Sequence, residues 1–232
     1  MNDEERADED SSSSYEEDRE LVQETLYPHP LPVAGDHVFK QATDPERTWF
    51  ERTFPRNVTY LEAYKMAGDI LFRAVERMLA ESRETGAMDT APWLVYPVYF
   101  MYRQAIELSL KQMRVARGAD WGLPVERYLE HNLVKLWKEV EGWVRDTCGE
   151  GLRDTADAFG KLVQEIHDID PKGDAGRYDI NTKGQPTFEG FRPLDLKNLR
   201  DTCEKMLNFL TWIWSLREEK RQRAEERAQW EE

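Results

Sequence analysis

Arg103, Glu107 and Lys111 follow one another at steps of four residues, so a helix through them sets three charges in one row. The row grows out of WLVYPVYFMYRQAIELSLK, residues 93–111, whose first half is an almost unbroken apolar and aromatic run. A helix of that kind belongs at the centre of a bundle. Its polar row is then either a ladder of salt bridges or the wall of a functional groove.

Histidine supplies the next chemistry, because imidazole exchanges protons near neutral pH. His131 opens the segment HNLVKLW downstream of the charged row, and Arg127 precedes it by four residues. On a continuous helix this pair shares a face, with a proton carrier beside a cation that can stabilise developing negative charge. The structural alternative for His131 is a helix-start residue hydrogen-bonded to backbone. A second group lies in EIHDIDPKGDAGRYD, where His167 and Asp170 come shortly before Arg177 and Tyr178, a set that suits a nucleotide or other phosphorylated ligand. His167 also suits a purely structural role, since a histidine in the last turn of a helix is favoured by the dipole. The carboxylates around it, Glu165, Asp168, Asp170 and Asp174, match no familiar ligand spacing, so neither a metal nor a cofactor is expected. Serine-nucleophile elbows, phosphate loops, dinucleotide fingerprints and zinc-ligand pairs are absent from the sequence.

The 232-residue chain has room for one folded domain with tails, and a formal charge of −14. Residues 1–20 hold ten acids against two arginines and so carry −8 of that charge, which leaves the remainder only mildly acidic. No broad basic stripe marks a nucleic-acid surface, although a local one can sit inside an acidic total. Cys148 and Cys203 lie far apart, away from any metal-ligand spacing, and imply neither a disulfide framework nor zinc. No membrane span and no signal peptide are read, and the expected location is cytoplasmic.

The elements that must position these residues follow from periodicity. Residues 1–20 read as a disordered acidic tail, and 21–58 as an extended proline-rich segment with a short helix near 44–55. Thr59 and Glu62 form a capping-box pair ahead of the first long helix, and Pro92 opens the second. Pro124 opens the third, the fourth starts near Leu152, and Asp195 caps the last. Residues 170–193 lose the helical period and read as a hairpin turning at Lys183 and Gly184. The expectation is an all-α fold: an antiparallel bundle of about five helices over 59–216, a small β-hairpin insertion before the last helix, and a charged helical tail at 217–232. Leu61, Leu71, Val75, Val98, Phe100, Met101, Ile106 and Leu110 form the first half of the expected core. Leu133, Leu136, Phe159, Leu162, Ile166, Leu199, Leu207 and Leu210 complete it. Trp212 and Trp214 point to different sides of the last helix, so at least one meets solvent or a partner.

Three segments taken in order, YRQAIELSLK at 102–111, HNLVKLW at 131–137 and EIHDIDPKGDAGRYDINTKGQP before a leucine-rich last helix, resemble uncharacterised bacterial proteins of the HEPN superfamily. The likeness runs from Thr59 to Leu216. It implies an all-α bundle that forms a homodimer and works with RNA, a nucleotide or a partner protein in a defence or toxin–antitoxin type system. Active members of that family cleave RNA without metal, using an Arg and a His separated by four to six residues. Arg127 and His131 have three residues between them, which departs from the motif. The resemblance therefore implies either a binding and dimerisation module, or an endoribonuclease with Arg127 and His131 as its pair and Arg103, Glu107 and Lys111 in support.

Overall fold

Five helices form the fold: α1, Arg56–Thr85; α2, Val95–Trp121; α3, Leu133–Cys148; α4, Arg153–Ile169; and α5, Leu196–Trp230. Short 3₁₀ turns at Ala91–Leu94 and Glu150–Leu152 lead into α2 and α4. This computed structural model describes residues 56–86, 91–123, 130–181, 183–188 and 194–230. The acidic tail, the proline-rich segment up to residue 55 and the expected short helix at 44–55 lie outside those residues, while 56–58, expected to be extended, open α1. No helix among the described residues is long and apolar enough to cross a membrane.

α2 is the hub, packing against α1, α3 and α5. Its side chains are buried all round, from Val98, Tyr102, Ile106 and Leu110 to the polar Arg103, Glu107 and Lys111. It stops at Gly122, whose φ of 64° is open to glycine at little cost, and Leu123 N–H donates back to Gly118 O at 2.9 Å. α3 lays down the expected stripe, with Leu133, Leu136, Trp137, Val140, Trp143 and Val144 all buried. Phe159 on α4 packs its ring 4.8 Å from Trp137 and 5.4 Å from Phe209 of α5. Phe209 was no part of the expected core. Leu61, Leu71, Phe100, Met101, Leu162, Ile166 and Leu199 are only partly buried.

Helix starts differ from the sequence reading in two places. α1 begins at Arg56, so Thr59 and Glu62 fall within its first two turns and not at its cap. α3 begins at Leu133, where Asn132 accepts from Lys135 N–H at 3.0 Å. Asp195 does cap α5, accepting from Asn198 N–H at 2.9 Å.

Between α4 and α5 the described residues carry one isolated antiparallel bridge, Ile180 to Pro186, and no strand. The turn at Lys183 and Gly184 is present. Asn181 N–H donates to Gln185 O and Thr187 N–H to Asp179 O, both at 2.8 Å, while the Asn181 side chain accepts from Lys183 and Gln185 N–H and Thr187 Oγ1 donates to Tyr178 O, so backbone and side-chain bonds together close the turn.

The C-terminal helix stays docked one turn past Leu216. Arg217 holds Asp120 through two bonds of 2.8 and 2.7 Å, and Lys220 Nζ donates to the carbonyls of Asp146 and Thr147 at the end of α3. Trp212 and Trp214 are both exposed.

Candidate functional site

Three segments converge on the charged row of α2. Glu107, fully buried, accepts through Oε2 from Arg103 Nη1 at 2.9 Å and through Oε1 from Lys111 Nζ at 2.7 Å. His131, in the extended residues just before α3, places Nδ1 2.9 Å from the same Oε1. Arg103 Nη2 also donates to the His131 carbonyl at 3.0 Å. Past the end of α4, Asp170 puts Oδ2 3.0 Å from Arg103 Nε, an ion-pair contact whose N–H points off the oxygen.

Asp170 is itself held in place. Its Oδ1 accepts from the backbone N–H of Asp174 at 2.7 Å and of Ala175 at 3.3 Å, and Tyr99 O–H donates to Oδ2 at 3.3 Å. Gly173 sits in that turn at φ 80°, and a Cβ there would stand 2.6 Å from Arg103 Nη1. The turn therefore closes over the guanidinium only because residue 173 has no side chain.

Charge balance explains why such a network tolerates burial. Arg103 and Lys111 bring two positive charges, Glu107 and Asp170 two negative ones, and all four are at least 95 % buried. Burial alone would raise the Glu107 carboxyl, but the hydrogen bonds and charges of Lys111 and then Arg103 outweigh it and hold the group below its ordinary value of 4.5. Burial and the neighbouring Asp170 carboxylate push the Tyr99 phenol far up, so it remains a donor.

The sign of the Glu107 shift fixes a pH dependence. Its folded pKa lies below the unfolded value, so the stability it contributes is complete above about pH 4.5–5 and is lost as pH falls through the folded value. The stability difference between wild type and Glu107→Gln, from urea midpoints at successive pH values, is expected to be constant near neutrality and to shrink below pH 4.5. A difference independent of pH down to 3 would exclude the shift.

His131 is the outward member of this network, its side chain 58 % exposed. An ionised carboxylate only accepts, so the proton sits on Nδ1, and Nε2 makes no hydrogen bond among the described residues. The arrangement is a carboxylate-oriented imidazole with one free nitrogen, which can bind a donor or accept a proton.

The row is thus a ladder and not the wall of a groove, because Asp170 and His131 close over it. Arg103, Glu107, Lys111, His131 and Asp170 come together as one cluster. Arg127 lies outside the described residues, and His131 precedes the helix, so helical spacing does not relate the two. No hydrogen bond or ring contact joins His167 to Arg177 or Tyr178 among the described residues. His167 Nδ1 is buried without a hydrogen bond, while Arg177 donates to Gly173 O and Asp174 and lies over the rings of Phe100 and Tyr178, 5.6 and 5.5 Å away. The adjacent cleft, about 550 Å³, is walled instead by Asp168, Lys172, Asn181, Gln185 and Phe188 among others.

Sequence reasoning missed the Tyr99 phenol and Gly173. Gly173 between Lys172 and Asp174 in KGDAG was the available sign of a tight turn. Comparison of the chain with protein-family models, curated proteins and solved structures finds no match.

Proposed function

We propose that the chain is a HEPN-like binding and dimerisation module of a prokaryotic defence or toxin–antitoxin type system, and that it recognises RNA at the end of the bundle where His131 is exposed. The observation that carries this reading is the internal use of the charged row. Arg103 and Lys111 spend their hydrogen bonds on Glu107 and the His131 carbonyl, away from any ligand. Their effect is to fix Glu107, and through it the ring of His131, leaving Nε2 as the contact. A nucleotide or partner protein meeting the same rim is the neighbouring possibility, and the acidic head and charged tail suit such partners.

The test is fluorescence anisotropy with labelled tRNA and mixed RNA, together with a mass determination in solution. Wild type is expected to bind as a dimer, and His131→Ala about tenfold more weakly, the loss of one hydrogen bond to a charged group. Binding unchanged in His131→Ala would remove His131 from the interface, and a monomer at every concentration would remove the dimer.

A second reading, a metal-independent endoribonuclease, draws on the carboxylate-oriented imidazole. His131 Nε2 would take the proton of a 2′-hydroxyl as that oxygen attacks the adjacent phosphate, forming a cyclic phosphate, while the 5′-oxygen leaves and is protonated. Its cation would have to come from Arg127 or a second copy, since Arg103 and Lys111 are committed.

A further inference from the structure

Trp137 on α3 is only 5 % exposed, and its indole N–H makes no hydrogen bond among the described residues. The ring is buried but its nitrogen is not sealed in, so the N–H stays open to an acceptor from outside. The ring lines a cleft of about 360 Å³ between α3 and α4. Gly160 of α4 lies directly against the nitrogen, where a Cβ would come within 2.9 Å of Nε1. Glycine weakens a helix interior relative to alanine, and here its missing side chain is what leaves the N–H accessible.

The rim of the cleft is cationic in a chain of net charge −14. Lys138 and Lys161 stand on it, and neither is within ion-pair distance of a carboxylate among the described residues. The two acids of the rim, Glu141 and Asp157, are both taken by Arg145 Nη2, at 2.6 and 2.5 Å. Three cations against two carboxylates leave the rim at +1, with neither lysine in an ion pair among the described residues and Lys161 exerting only a longer-range pull on Asp157.

A donor-only indole on the floor and two ammonium groups above it require an anion with several acceptor oxygens. We propose that the α3–α4 cleft holds a phosphodiester of bound RNA, one phosphate oxygen accepting from Trp137 Nε1–H with Lys138 and Lys161 on either side. The proposal rests on the RNA reading given above and extends it along α3. His131 lies just ahead of that helix, and Lys138 is roughly 7–8 Å past its first residue, so one RNA chain can meet both. Phosphate contacts of this kind fix register without reading sequence.

The experiment measures binding of labelled single-stranded RNA to wild type, Lys138→Gln/Lys161→Gln and His131→Ala across a salt series. The indole ¹⁵N–H signal of Trp137, assigned with Trp137→Phe, is followed in parallel with RNA and with inorganic phosphate. The double variant, folded by circular dichroism, is expected to bind at least tenfold more weakly. Its slope of log Kobs against log salt should be shallower by about 1.4, or about 0.7 for each lost contact. The Trp137 indole signal should move on addition of RNA. Wild-type affinity and slope in the double variant, with His131→Ala still weakened, would overturn the cleft and leave the His131 reading standing. An indole signal that answers phosphate but not RNA would make this a free-anion site and overturn the proposal. No RNA binding by wild type would overturn both.

Discussion

Glu107→Ala is expected to destabilise the fold by about 3–5 kcal/mol, the usual cost of removing one partner from a buried ion pair. Two cations depend on this one carboxylate: Arg103 at 2.9 Å and Lys111 at 2.7 Å, both nearly inaccessible to water. Without Glu107 the cluster is left with two positive charges and only Asp170 to oppose them, in surroundings that hydrate neither. His131 loses its orienting partner in the same step. A urea midpoint shifted far below wild type, with an unchanged slope, is the predicted readout. Removing the exposed Arg221–Glu225 pair of α5 should leave the midpoint where it was, since solvent and salt screen it. Equal effects at the two places would mean that the α2 network contributes nothing beyond an ordinary surface pair.

Gly173→Ala is expected to cost about 2–3 kcal/mol, from two sources that can be separated. One is backbone strain, since φ is 80° where a side chain is disfavoured. The other is steric, since the new Cβ would stand 2.6 Å from Arg103 Nη1 and force the guanidinium off Glu107. Gly184 supplies the reference. Its φ is 74°, but nothing lies within 4 Å of its Cβ position, so Gly184→Ala carries the strain alone, about 1 kcal/mol. The excess at residue 173, read from the two urea midpoints, measures how tightly the turn closes over Arg103. Identical shifts would show that it does not close over it at all.

The charged row was legible in the sequence because the period of a helix fixes which side chains share a face. What covers the row was not legible, since Asp170 and His131 reach it from distant segments and no local pattern encodes that meeting. Helix existence followed from apolar periodicity in α2, α3, α4 and α5, while two helix starts did not follow. Pro124 and Asn132 both obey the rules for opening a helix, and only tertiary packing chooses between them. The capping pair Thr59 and Glu62 misplaced α1 for the same reason: the motif is local and the helix extends past it. The hairpin expected at 170–193 rested on lost helical period, which separates helix from non-helix but does not say how far a strand pair extends; among the described residues the pairing is one bridge and two backbone bonds around the turn. In the α3–α4 cleft, the sign available was a glycine inside a helical pattern; its meaning depended on a tryptophan on another helix.

The decisive measurement is an incubation of end-labelled tRNA with wild type and His131→Ala in EDTA, analysed for both retention and length of the RNA. The binding-module reading predicts RNA retained at full length by wild type and about tenfold less well by His131→Ala, with no shortening in either. RNA cut by a wild-type dimer and left intact by His131→Ala would contradict it, and would make the imidazole held by Glu107 the proton carrier of a ribonuclease.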